Sequence, residues 1–206
     1  MLWNWEQPDW PAFRYEKNRL DSREARFLHS AGMISGLIRH LEPGAGEQLR
    51  IELIGDEAVQ TSAIEGEILD RESVQSSLRR QFGLQTDDRR IPPAEQGIAE
   101  VMVDLYRTYD QPLAQPMLYR WHQMLMKGRT DLRDIGRYRT HEEPMQVITN
   151  RIDRIEVHFE APPSSIVPKE MARFAEWFNR TSPGGESVLS PITRAGIAHL
   201  YFVTIH

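Results

Sequence analysis

The side chains best suited to moving a proton are histidines, and one of them, His206, closes the apolar run Arg194-Ala195-Gly196-Ile197-Ala198-His199-Leu200-Tyr201-Phe202-Val203-Thr204-Ile205-His206. An imidazole titrates near neutrality, so its neutral, accepting form is abundant at the pH of a cell. His199 reads instead as a buried structural histidine, and His122 and His158 invite the same restraint. A second pair with chemistry is Thr61 and Glu65, four apart and so neighbours on one helix face. Taken alone, that pair fits a solvated helix end. Metal chemistry is not expected, because His141-Glu142-Glu143 lacks a second histidine at helical spacing.

The helix that carries His206 begins at Pro191 and is apolar on all sides, which predicts burial in a core. It reaches His206 without glycine or asparagine to close its last carbonyls, so the polypeptide is expected to have continued. Upstream, Trp3-Asn4-Trp5-Glu6-Gln7-Pro8-Asp9-Trp10-Pro11-Ala12-Phe13-Arg14-Tyr15 has too many prolines for a helix and too many aromatics for a disordered tail. It is expected to lie as an extended arm across a helical surface. Asp21 and Glu24 form a capping-box start for a first long helix, with Ala25, Leu28, Gly32, Ile34, Leu37 and Leu41 at helical spacing. A second helix opens near Glu47, carries Leu49, Leu53, Ile54 and Ala58 on one face, and can end at Gly66.

Asp70 can cap a third helix with Val74 and Leu78 inward. Residues 84–93 then read as a linker, and the mixed cluster Asp87-Asp88-Arg89-Arg90 as its solvated part. Helices follow Pro92-Pro93, Pro116 and Pro168, each with proline near the first turn. Between the last two, the period changes from helical to alternating over residues 145–149 and over Ile155, Val157 and Phe159, which predicts one hairpin. The fold class is therefore all-α with a single hairpin, divided into residues 1–84 and residues 93–206.

A chain of 206 residues is long enough to bury a core without metal or disulfide. It contains no cysteine, which fits a reducing compartment without requiring one. No signal peptide opens it, and no apolar run approaches the roughly 18 residues of a membrane span. A cytoplasmic location away from membranes is expected. The net charge of −5, with both signs interspersed, gives no cationic footprint for nucleic acid.

The segment Ala198, His199, Phe202, Ile205 and His206 resembles the approach to the active-site motif of the Fic family, Ala-His-x-x-Phe-x-x-Ile-His, which continues there as Pro-Phe-x-(Asp/Glu)-Gly-Asn-Gly-Arg-x-x-Arg. Gly136-Arg137-Tyr138-Arg139, the hairpin, His158-Phe159-Glu160-Ala161-Pro162-Pro163 and the helix around Met171 are similar to successive landmarks of a Fic core preceded by a small helical domain. Thr61-Ser62-Ala63-Ile64-Glu65-Gly66 matches the family's inhibitory pattern: serine or threonine, three residues, then glutamate followed by glycine or asparagine.

The resemblance implies a protein adenylyltransferase. His206 would be the catalytic general base, taking the proton of a target hydroxyl as that oxygen attacks the α-phosphate of ATP. Glu65, steadied by Thr61, would pair with the last motif arginine and hold ATP misaligned. Met145, Gln146, Val147 and Ile148 would align the target segment along a strand edge. ATP and Mg are the implied cofactors, bound by residues expected after His206, so the 206 residues by themselves are expected to be inactive. Target identity is not encoded legibly. Self-modification and a homodimer are both compatible with the sequence. Removal of AMP, transfer of another phosphate-containing group, and a non-catalytic interaction module are the alternatives.

Overall fold

In the computed structural model, which describes residues 2–42, 44–150 and 155–205, the chain forms seven α-helices and one antiparallel hairpin. This is the all-α architecture with a single flap that the sequence implies. Two compact units interleave along the chain: residues 1–32, 113–115 and 138–206 form one, residues 33–112 and 116–137 the other. Helix α1 (Lys17–Ile38) passes from the first into the second. Its spacing is helical as expected, yet Leu28, Ile34 and Leu37 are exposed, and its single buried residue is Glu24.

The second unit is built on α2 (Ala45–Ile64), α3 (Arg71–Gln81) and α4 (Pro93–Thr108). Ile51, Ile54 and Ala58, three and four apart on α2, meet Val74 and Leu78 of α3 and Ala99, Met102 and Val103 of α4. Leu53 lies about 100° from Ile54 around the helix and is exposed, contrary to its expected place on the buried face. The carboxylate of Asp70 caps α3 by accepting the Ser73 N–H at 2.8 Å. Helix α3 runs antiparallel to α2, with Arg71 on Asp56 at one end and Arg79 on Gln48 at the other.

Helices α3 and α4 run in the same direction: the Asp70 N–H donates to Glu95 near their starts, and Arg107 donates to the Gln81 carbonyl near their ends. Parallel neighbours need a segment that returns, and residues 82–92 supply it. Asp87, Asp88 and Arg90 are exposed, as a solvated segment should be, but the return path is also tied down. Arg89 pairs with Asp70 and Glu72, Arg80 donates to the carbonyls of Asp87 and Arg89, and the Ser76 hydroxyl donates to Asp87 at 2.8 Å. Helix α5 (Gln115–Leu125) is tied to α4 by Asp104, which accepts from Arg120 and from the Trp121 indole, both at 2.7 Å. Gly97 permits that approach, since a Cβ there would strike the Met124 carbonyl.

The first unit contains the hairpin, β1 (Gln146–Asn150) and β2 (Ile155–Glu160), with α6 (Val167–Arg180) and α7 (Pro191–Ile205). Its centre is Tyr201 of α7, which is fully buried. Rings of Trp10, Phe13 and Phe174 stand 5.0 to 5.3 Å from it, and Trp177 at 5.9 Å. The edge-to-face arrangements among them add to the area they bury. The Tyr201 hydroxyl has no hydrogen-bond partner among the described residues, and burial pushes its pKa up to about 12. The aromatic arm therefore does lie across helices, and Trp10 adds an indole N–H donated to Glu170 at 3.0 Å.

Helix α7 differs from expectation on its other side. Thr193, Tyr201, Thr204 and Ile205 are buried, but His199 is exposed and Leu200 and Val203 are about half so. Among the described residues α6 and the arm cover only one face, so His199 is not the buried structural histidine that the sequence suggests.

The start of α7 explains Glu24. A helix opens with backbone N–H groups that have no partner in the helix. Pro191 has none to offer, the Ile192 and Thr193 amides donate to the Glu24 carboxylate at 3.1 and 2.7 Å, and Arg194 begins the regular ladder on the Ser190 carbonyl. The hydroxyls of Ser190 and Thr193 donate to the same carboxylate. Glu24 is therefore no partner of Asp21 in a capping box: α1 starts earlier, at Lys17, and Glu24 serves a helix distant in sequence. A negative charge at that end is also favoured by the helix dipole.

Desolvation pushes the Glu24 pKa up, but the hydrogen bonds outweigh it and hold the group below its ordinary 4.5. Because the folded value is the lower one, stability from the ionised carboxylate is complete above pH 4.5 and is lost as pH falls through the folded value. Glu24→Gln is expected to lower Tm by a few degrees at neutral pH and to remove part of the acid-induced fall. Thermal melts of both proteins between about pH 3 and pH 7 check this.

Candidate functional site

His206 lies outside the described residues, so the geometry ends at its neighbour. The Ile205 carbonyl accepts from the Arg139 guanidinium at 2.9 Å, and the same guanidinium donates through its other terminal nitrogen to the Pro162 carbonyl. Burial pulls the Arg139 pKa below its ordinary value. One planar fork thus joins the last turn of α7 to the segment that follows β2. Lysine, with a point charge and no fork, would not present two donors in a fixed plane.

The hairpin pairs Gln146 with Glu160, Val147 with Phe159, Ile148 with Val157, Thr149 with Glu156 and Asn150 with Ile155. The register slips between Val147 and Ile148, which leaves His158 as an extra residue on β2 and adds local twist. His158 is exposed there, with its Nε2 2.6 Å from the Thr149 hydroxyl. Met145, Gln146, Val147 and Ile148 are all exposed. Successive strand residues point to opposite faces, so exposure of both Val147 and Ile148 means that the flap is open on both sides there. Among the described residues each strand has only the other as a sheet neighbour, which leaves an outer edge on β1.

Thr61, Glu65 and Gly66 fall in the other compact unit, at the end of α2. Glu65 is the C-cap, and its N–H reaches the carbonyls of Ser62 and Thr61 at 3.1 and 3.4 Å. Gly66 sits at φ +86°, the left-handed conformation. Its N–H donates to the Ala63 carbonyl at 3.1 Å, and the Glu67 N–H donates to Ser62 at 2.9 Å. These are the two bonds of a Schellman ending. The final position of the inhibitory pattern, glycine or asparagine, is thereby explained: those are the residues that enter the left-handed region at least cost. The side chains of Thr61 and Glu65 are exposed.

Among the other histidines, His122 is structural, its Nδ1 accepting the Gly136 N–H at 3.2 Å. His141 turns its Nδ1 to the Glu143 carbonyl. No group of three or more acidic or histidine side chains capable of holding a metal exists among the described residues. The sequence gives Glu24 only a capping-box role with Asp21, and gives Arg139, Asn4 and Trp5 no individual role. The motif Gly136-Arg137-Tyr138-Arg139 did mark Arg139, and the density of aromatics marked the arm, but nothing near Glu24 signals a helix that begins so far along the chain.

Residues 3–84 match the family described as Domain of unknown function (DUF4172), and residues 112–206 match the Fic/DOC family. Among solved structures the chain is similar to a Fic family protein from Desulfovibrio desulfuricans G20, at 22% sequence identity and a TM-score of 0.57. The likeness covers 95% of this chain and 54% of that one, so this chain spans about half the length of that protein. No curated protein matches the chain. The Fic resemblance read from the motif residues thus holds in the family match over residues 112–206 and in the fold. No helix among the described residues is long and apolar enough to cross a membrane.

A Cβ at Gly66 would meet nothing within 4 Å, so any penalty there is conformational. Gly66→Ala is expected to destabilise the protein by about 1 kcal/mol, and Gly66→Asn by less. Urea denaturation midpoints of the two variants check the order.

Proposed function

We propose that the protein to which this chain belongs is an autoinhibited adenylyltransferase that moves AMP from ATP to a hydroxyl side chain of a target protein. The observation that carries the reading is the fixed helix α7, which bears the Fic approach motif within the Fic/DOC match and is held at both ends, by Glu24 at its start and by Arg139 at Ile205. A general base must sit within hydrogen-bond reach of the proton it removes, and an end-clamped helix is a suitable support for one.

His206 accepts the proton of the target hydroxyl. The hydroxyl oxygen bonds to the α-phosphorus, the bond from that phosphorus to the bridging oxygen breaks, and pyrophosphate leaves. Such a transfer depends on alignment more than on covalent help from the protein. The exposed strand edge at Met145, Gln146, Val147 and Ile148 supports the alignment role, because an extended target segment can add to it through main-chain hydrogen bonds. In Fic proteins the anion-binding loop and the Mg ligand come from the residues that follow the motif histidine, and such residues would hold ATP and Mg.

Glu65 supplies the inhibition. Its carboxylate, at an exposed helix end, competes with the nucleotide's terminal phosphate for one motif arginine, and charge-assisted pairs of this kind are strong. Glu65→Gly in the full-length protein is expected to raise AMP transfer by roughly tenfold or more. Labelling of protein from α-labelled ATP measures it, and unchanged labelling would remove the switch.

A further inference from the structure

The arm makes contacts that burial of its aromatics does not require. Its first turn, the 3-10 segment Asn4–Glu6, is closed by the Glu6 N–H on the Trp3 carbonyl and by the Trp3 N–H on the Glu6 carboxylate. From this turn three consecutive side chains reach outward. Trp3 stacks edge-on against Phe159 of β2 with ring centroids 5.7 Å apart. The Trp5 indole N–H donates to the carbonyl of Glu160, the last residue of β2, at 2.7 Å. The Asn4 side-chain amide donates to the Thr204 hydroxyl of α7 at 3.0 Å.

The polarity of the Asn4 bond is fixed at both ends. Its Oδ1 accepts the Trp5 backbone N–H at 2.9 Å, so Nδ2 must face Thr204. The Thr204 hydroxyl gives its own proton to the Leu200 carbonyl at 2.7 Å, so it can only accept from Asn4. Thr204 is buried and stands two residues before His206. Phe159 is the cross-strand partner of Val147 in the flap. One turn near the start of the chain therefore holds both β2, the partner of the strand that would align the target, and the helix turn that would deliver the base.

We propose that Asn4 and Trp5 are positioning residues for AMP transfer, acting through Thr204 and Glu160 to fix β2 against the last turn of α7. The proposal rests on the adenylyltransferase reading above. It adds that a segment of the DUF4172 match completes the working part of the Fic/DOC match. Arg139 bridges the same two regions from carbonyl to carbonyl, and Trp10 anchors the arm separately on Tyr201 and Glu170. Loss of the Asn4 or Trp5 bond therefore loosens the alignment without releasing the arm.

The test uses the full-length protein carrying Glu65→Gly. Asn4→Asp keeps the shape but turns an acceptor toward an acceptor, and Trp5→Phe keeps a ring but removes the indole N–H. Thr204→Val removes the acceptor, whereas Thr204→Ser keeps it. Small misplacements of reacting groups cost rate steeply, so Asn4→Asp, Trp5→Phe and Thr204→Val are each expected to lower kcat by about tenfold. The KM for ATP should stay within about twofold, Thr204→Ser should keep the rate, and amide hydrogen exchange should quicken in residues 155–160 and 200–205. Unchanged kcat in Asn4→Asp and Trp5→Phe would overturn the proposal, as would equal losses in Thr204→Ser and Thr204→Val. If the Glu65→Gly protein transfers no AMP at all, the reading of the reaction falls, and exchange alone decides the tie: quickened exchange in both segments sustains it and unchanged exchange removes it.

Discussion

An α-helix cannot satisfy its own first amides or last carbonyls, and the way α7 solves this sets the architecture of its unit. Glu24 takes the amides of Ile192 and Thr193 together with two hydroxyls, and Arg139 takes the carbonyl of Ile205. Neither partner is local. A carboxylate from α1 and a guanidinium from the segment before the hairpin are needed, so α7 is placed by the fold around it rather than by its own sequence. Tyr201 then fixes its rotation, because its ring fits between those of Trp10, Phe13, Phe174 and Trp177.

The same economy of polar groups shapes the second unit. Parallel α3 and α4 oblige residues 82–92 to double back, and the return segment is held by Arg80, Arg89 and Ser76. At the end of α2, a short pattern with regulatory meaning in Fic proteins is also a well-formed helix stop. Gly66 supplies the left-handed turn, and Glu65 is left as an exposed cap with its side chain available to another group.

Elements set by local signals were legible: Asp70 as an N-cap, Gly66 as a stop, proline near the start of α4 and α6, and the alternating flap strands. The likeness over residues 112–206 was legible because its motif is contiguous in sequence. What escaped was set by distant partners. Glu24 looks like half of a capping box with Asp21 because a carboxylate prefers any free helix amides, and sequence spacing cannot say that the nearest ones belong to α7. His199 looks buried because its neighbours are apolar, although among the described residues α7 is covered on one face only. Residues 87–90 are largely exposed, as their charges suggest, but the partners that Arg89 meets are set by the return path.

The bond between Asn4 and Thr204 joins positions 200 residues apart. During translation at about 5–20 residues per second, the arm emerges roughly 10–40 seconds before the helix that receives it. Throughout that interval Trp3, Trp5, Trp10 and Phe13 have no final resting place, and closing so large a loop is entropically slow. Docking of the arm on α7 therefore waits for that helix, and until it forms the ring of Trp10 lacks Tyr201 and the amide of Asn4 lacks Thr204.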